Sequence, residues 1–168
     1  MEKALSDKDI KNALEDDVRV IVYSDLYNFD NILDAIGPTQ KLVILYETSD
    51  NFGHWCCVFI EDDIIYFFDS YGCPIDDELE YISKKTRIRN GEDFRYLSYL
   101  LSQADNEIDY NDYQLQSLKP GVNTCGRWCV ARLKNKHLDT EEFYELFMSD
   151  DSVSSDEIVL EYTKTLGL

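Results

Sequence analysis

Gly53-His54-Trp55-Cys56-Cys57-Val58-Phe59-Ile60-Glu61-Asp62-Asp63-Ile64-Ile65-Tyr66-Phe67-Phe68-Asp69-Ser70 is the stretch that decides the architecture of this 168-residue sequence. Two apolar runs, Trp55 to Ile60 and Ile64 to Phe68, are rich in aromatic and β-branched residues and meet at the turn-forming Glu61-Asp62-Asp63. This pattern predicts an antiparallel hairpin. A hairpin of that length returns Asp69 beside His54 and leaves Asp62 and Asp63 at the far end. A carboxylate next to a histidine holds one imidazole nitrogen and frees the other for chemistry.

The residue such a pair can serve lies downstream, in Asn123-Thr124-Cys125-Gly126. A thiol attacks as thiolate, a minority form near neutral pH unless its surroundings favour the charge. The run from Gly126 to Leu133 carries no proline and repeats apolar residues at helical spacing, so Cys125 is expected to open a helix. Asn123 or Thr124 is expected to cap it, and the free N–H groups at the positive end of the dipole favour a thiolate there. Gly126 would let a substrate carbonyl approach the backbone. The Cys125 backbone then forms half of an oxyanion hole. The other half falls to a side-chain amide, Gln116 first and Gln114 second, at the end of a strand expected from Asp109 to Gln116. Base, orienting carboxylate, nucleophile and oxyanion donor together are what thiol-based acyl transfer requires.

Each member has an ordinary reading as well. His137 is assigned to the surface, and Cys56, Cys57, Cys73 and Cys129 to the role of small hydrophobes. Asp69-Ser70-Tyr71-Gly72 could be a plain strand-ending turn. What sets His54, Asp69 and Cys125 apart is joint placement at the ends of expected elements in a compatible chain order. A zinc site on His54, Cys125 and Cys129 competes, with the cysteines at i and i+4 on one helix face, but it leaves Asp69 and Gln116 idle. No metal or other cofactor is expected. A binding module without catalysis is the remaining reading, against which the complete set argues.

The order His-Trp, Asp-Ser, Gln, Cys-Gly resembles the superfamily that contains the adenovirus maturation protease (adenain) and the ubiquitin-like-protein-specific (SUMO) proteases. The resemblance runs from Leu42 to Leu133. It implies an α+β, single-domain papain-like cysteine protease fold, a mixed central sheet flanked by helices, with the triad in the order His54, Asp69, Cys125. Gln116 stands nine residues before Cys125, farther than is usual there, with Leu118-Lys119-Pro120-Gly121 resembling a loop insertion. Trp55 resembles the tryptophan that walls a narrow cleft, which implies a protein substrate cut after glycine, at Gly-Gly or Gly-X-Gly sites. The resemblance leaves two roles, a viral maturation protease trimming structural precursors or a deconjugating isopeptidase. Adenain-like enzymes can need an activating peptide, and Cys73, in a Gly-Cys-Pro turn, is a candidate for a disulfide with one.

Bulk composition fits. The length suits one domain spanning residues 1–168, large enough to bury about 70% of its unfolded surface. With 44% hydrophobic and 13% aromatic residues the chain is globular. No apolar run approaches a membrane span, and the charged start from Met1 to Asp9 does not resemble a signal peptide, so an intracellular location is expected, in host cytoplasm or nucleus or packaged in a virion. Five cysteines, an odd number, favour reduced thiols. A net charge of −18, from 34 acidic and 16 basic residues, disfavours nucleic acid, and so departs from adenain, whose relatives are basic and use DNA. It favours basic protein surfaces. The one basic cluster, Lys84 to Arg89, reads as a solvated helix face.

Outside the motifs, Ser6-x-x-Asp9 predicts a capping box and a helix to Leu14. Strands are expected at Val18 to Tyr23 and Leu42 to Tyr46, with a turn at Gly37-Pro38. Further helices are expected around Ile75, Leu79 and Ile82, around Phe94, Leu97 and Leu101, from Thr140 to Met148 and from Asp156 to Thr165, with an acidic loop from Ser149 to Ser152.

Overall fold

The structure is a computed structural model that describes residues 3–148 and 151–168. Ser149 and Asp150, half of the expected acidic loop, and the first two residues of the expected charged start lie outside the described residues.

Five strands form one mixed sheet in sequential order: β1 (Arg19–Val22), β2 (Lys41–Ser49), β3 (Phe52–Glu61), β4 (Ile64–Phe68) and β5 (Ile108–Tyr110). β3 pairs antiparallel with both β2 and β4, whereas β1 and β5 run parallel to β2 and β4 at the two edges. The expected hairpin is β3–β4, closed by Asp62 and Asp63, both at positive φ, which aspartate tolerates better than most residues. Its register pairs Cys57 with Phe68 and Glu61 with Ile64.

Alternation along the strands feeds two cores, one on each face of the sheet. Val43, Leu45, Trp55, Cys57, Phe59 and Phe68 face α1 (Asp7–Ala13), α5 (Cys125–Lys134), α6 (Thr140–Phe147) and α7 (Ser155–Lys164). Leu42, Ile44, Tyr46, Cys56, Val58 and Phe67 face α2 (Ile32–Ile36), α4 (Tyr96–Ser102) and the 3-10 helices Tyr23–Asn28 and Asp77–Tyr81. A short helix, α3 (Lys84–Asn90), carries the basic cluster and buries none of its residues. α1 opens with the expected capping box, Ser6 Oγ accepting from the Asp9 N–H and Asp9 Oδ2 from the Ser6 N–H.

α5 is the central helix, buried from Cys125 through Leu133, and packs on β3 and α7. Even its arginines are enclosed. The Arg132 guanidinium lies over Phe59 at 4.7 Å and Phe143 at 4.9 Å and donates to the carbonyls of Asn135 and Leu138, so its charge is met by rings and carbonyls.

Three expectations are corrected. The strand to Gln116 ends at Tyr110, because Asn111 turns its side chain back onto the Asp69 backbone. The helix around Ile75, Leu79 and Ile82 is the 3-10 turn Asp77–Tyr81. Neither Asn123 nor Thr124 caps α5 through its side chain: Thr124 is the N-cap residue, but its hydroxyl donates to Asp156 Oδ1 at 2.7 Å.

Candidate active site

His54 sits near the start of β3 opposite Tyr46, where the sheet register shifts between Glu47 and Ser49. Gly53 is required beside it, because a Cβ there would drive into the Tyr46 carbonyl. Asp69 follows the last residue of β4, and the hairpin brings its Oδ1 to 2.8 Å from His54 Nε2. The same Oδ1 accepts the Tyr71 N–H at 2.9 Å. The Tyr71 ring lies flat on the imidazole, with centroids 4.4 Å apart and an interplanar angle of 12°. Asn111 clamps Asp69 from behind, accepting its N–H at 3.0 Å and donating to its carbonyl at 2.6 Å. Its spacing in the sequence gives no hint of this role.

Cys125 is the first residue of α5, so its own N–H has no acceptor within the helix. The Trp55 N–H points at its Sγ from 3.5 Å. His54, Asp69 and Cys125 are thus brought together from β3, the end of β4 and the start of α5, all nearly buried at 5%, 1% and 7% exposure. The imidazole interacts electrostatically with two thiols, Cys125 and Cys56. Burial opposes a charged His54, but Cys56, Cys125 and Asp69 outweigh it and hold its pKa well above the usual imidazole value. Burial pushes the Cys56 thiol well above its usual pKa.

Gln116 is buried in the irregular segment between β5 and α5. Its Oε1 accepts from Ser70 Oγ at 2.7 Å and its Nε2 donates to the Val122 carbonyl at 3.1 Å, so one of the two amide hydrogens is committed to the chain. Gln114 is exposed and donates to the Gln116 carbonyl. Asp156 at the start of α7 ties this segment down at both ends, accepting from the Ser117 N–H and from the Thr124 hydroxyl.

The other two expected site residues are covered. The Trp55 indole N–H donates to the Leu5 carbonyl at 3.0 Å, and a Cβ on Gly126 would lie 3.1 Å from Leu5 Cβ and 3.2 Å from the Trp55 ring. The close approach that Gly126 permits in this structure is that of the N-terminal segment. Trp55 also lines a cavity of about 230 Å³ with Ser6, Val22, Asp25 and Asn51 among others.

Among the described residues, the donors that converge closely enough to hold a metal ion are His54, Cys56 and Asp69, within 4.8 Å of one another, and not the set of His54, Cys125 and Cys129 weighed from the sequence. Cys129 is fully buried in the core, next to Cys57. Cys73 is half-buried, and burial raises its thiol pKa. No helix of the structure is long and apolar enough to cross a membrane.

No family model matches the sequence. Among solved structures, the chain is similar to the central domain of the uncharacterized Lpg1148 protein from Legionella pneumophila, with 13% identity, 99% of each chain covered and a TM-score of 0.43. It is also similar to the SUMO protease Ulp1, with 15% identity, 98% of this chain and 80% of that one covered, and a TM-score of 0.40. Among curated sequences, the uncharacterized protein V9 of Sputnik virophage is 41% identical over 141 residues, 83% of this chain and 81% of that protein. By that relationship the chain belongs to the same family as protein V9 of Sputnik virophage.

Proposed function

We propose that the chain is a viral cysteine endopeptidase that cleaves after glycine and trims structural precursor proteins, with Cys125 as nucleophile, His54 as general acid and base, and Asp69 orienting the imidazole. The observation that carries this reading is the convergence of His54 Nε2 on Asp69 Oδ1 at 2.8 Å with the Cys125 thiol on the same imidazole at a helix start. Kinship with a virophage protein supports the viral setting, and the charge of −18 suits basic precursors.

In this mechanism the Cys125 thiolate attacks the carbonyl carbon after the substrate glycine. The Cys125 N–H and the uncommitted N–H of Gln116 hold the oxyanion, with Gln114 only bracing Gln116 from behind. His54 protonates the departing amine through the nitrogen that Asp69 leaves free, which breaks the C–N bond and leaves a thioester on Cys125. Water, giving its proton to the same nitrogen, then attacks the thioester and restores the thiolate. Trp55 and Gly126 underlie the acyl side of the approach, with Leu5 between them and the substrate. Action inside the infected cell, with or without packaging, follows from a precursor substrate.

Incubating wild-type and Cys125→Ala protein with proteome-derived peptides, and mapping new termini by mass spectrometry, tests the reading. Glycine-dependent cuts that vanish in the variant are expected; cuts that persist in the variant would defeat it. Hydrolysis of folded modifier conjugates but not of peptides would assign a deconjugating isopeptidase instead.

A further inference from the structure

Beside the imidazole lies a second feature that the mechanism does not use. Tyr71, whose ring covers His54, also forms one wall of a cavity of about 300 Å³ completed by Cys73, Glu78, Tyr81 and Leu118. That is at the small end of the about 300–1,000 Å³ typical of ligand sites. Tyr81 and Leu118 stand 73% and 70% exposed at its rim, an aromatic and an aliphatic side chain left without cover. The single charged group lining it is Glu78, in the 3-10 helix Asp77–Tyr81. Among the described residues Glu78 enters no ion pair and no hydrogen bond, although its surroundings are crowded. Burial pushes its carboxyl up to about 7, with His54 opposing and Asp69 and Asp77 adding to the rise.

Aromatic faces with one unpartnered carboxylate attract a cation on a long apolar stem: the rings take the stem and the charge, and the carboxylate takes the N–H donors. Placement says which part of a substrate arrives there. His54 hands its proton to the leaving amine, so the departing segment passes the imidazole, and the cavity flanks that imidazole through Tyr71. We propose that this cavity is a subsite for a lysine or arginine side chain of the substrate, on the leaving-group side of the scissile bond, with Glu78 as its specificity-determining residue. The assignment to the leaving-group side rests on the protease reading, whereas the affinity for a cation does not.

Two measurements keep these apart. In the first, agmatine, a guanidinium on a four-carbon stem, is titrated by NMR into Cys125→Ala protein, and the same protein carrying Glu78→Gln serves as control. Binding that weakens about tenfold on loss of the carboxylate is expected, the equivalent of one charge-assisted hydrogen bond. Equal binding by both proteins, or none by either, overturns the subsite whether or not the chain is a protease. In the second, wild-type and Glu78→Gln protein cleave a glycine-containing peptide library randomised after the scissile bond. Wild type is expected to favour lysine or arginine at one of the first positions by about tenfold, and Glu78→Gln to lose that preference while still cutting peptides with neutral residues there. Cleavage without a basic preference, or with an apolar one, overturns the subsite and leaves the protease standing. Agmatine binding with no cleavage at all overturns the protease reading and the placement, and leaves only the cation site.

Discussion

At the scale of single residues, the reactive set depends on how His54 is held. Asp69 does not merely accept from Nε2; its own backbone is clamped by Asn111 and its Oδ1 is shared with the Tyr71 N–H. Cys125→Ala and His54→Ala are expected to reduce turnover to background. Asp69→Ala is expected to leave measurable activity, reduced about 10²–10⁴-fold, since it misorients the base without removing it. Because the imidazole pKa is held well above its usual value, the alkaline limb of the kcat/KM profile should lie above the usual histidine range, and Asp69→Ala should move it to lower pH. A limb unmoved by that substitution would show that Asp69 does not act on His54. Cys56, although beside His54, is a buried thiol with its pKa raised well above the usual value, so Cys56→Ala should retain the activity that Cys125→Ala loses.

At the scale of elements, the hairpin was legible because its two runs are apolar and joined by aspartates suited to positive φ. The helix opened by Cys125 was legible by its period. What failed lay between them. Nothing in Ile108 to Thr124 announces that the chain leaves the sheet at Asn111, since that departure is fixed by a long-range bond to Asp69 that no local pattern encodes. Nor could spacing reveal that the Thr124 hydroxyl would turn from helix capping to Asp156, 32 residues away. Leu5 over Trp55 and Gly126 is a third contact of this kind. The same bonds give a prediction. Asp156 holds the segment that carries Gln116 and leads into Cys125, so Asp156→Ala should cost about 1–3 kcal/mol of stability, seen as a lower denaturant midpoint. It should also lower kcat more than it raises KM if Gln116 is the oxyanion donor as proposed, because it loosens that residue and not the substrate cleft. Unchanged kcat at reduced stability would make Asp156 purely structural.

At the scale of the whole molecule, charge dominates. Glu78 and the fully enclosed Glu92 both have carboxyls raised to about 7, chiefly by burial. A carboxyl raised on folding holds its proton more tightly in the native state, so stability falls as pH climbs from its usual value through the raised one. His54 acts in the same direction: raised on folding, it contributes stability at low pH that is lost as pH rises through its native value. The net charge of −18 adds self-repulsion that grows with ionisation. The melting temperature should therefore be higher at about pH 5.5 than at about pH 8.5, and added salt should raise it more at the higher pH. Glu92→Gln, which keeps an acceptor for the Glu47 N–H, should flatten this dependence. A melting temperature that rises across the interval would contradict the assignment of raised carboxyls.

The claim on which the account turns is that Cys125 is an activated nucleophile, and limiting iodoacetamide followed by peptide mapping tests it without any substrate. By exposure alone the half-buried Cys73 should react before Cys125, which is only 7% exposed. An activated Cys125 reverses that order: it is alkylated first, and the priority is lost in His54→Ala. Alkylation led by Cys73, with Cys125 as slow as the core thiols, would contradict it.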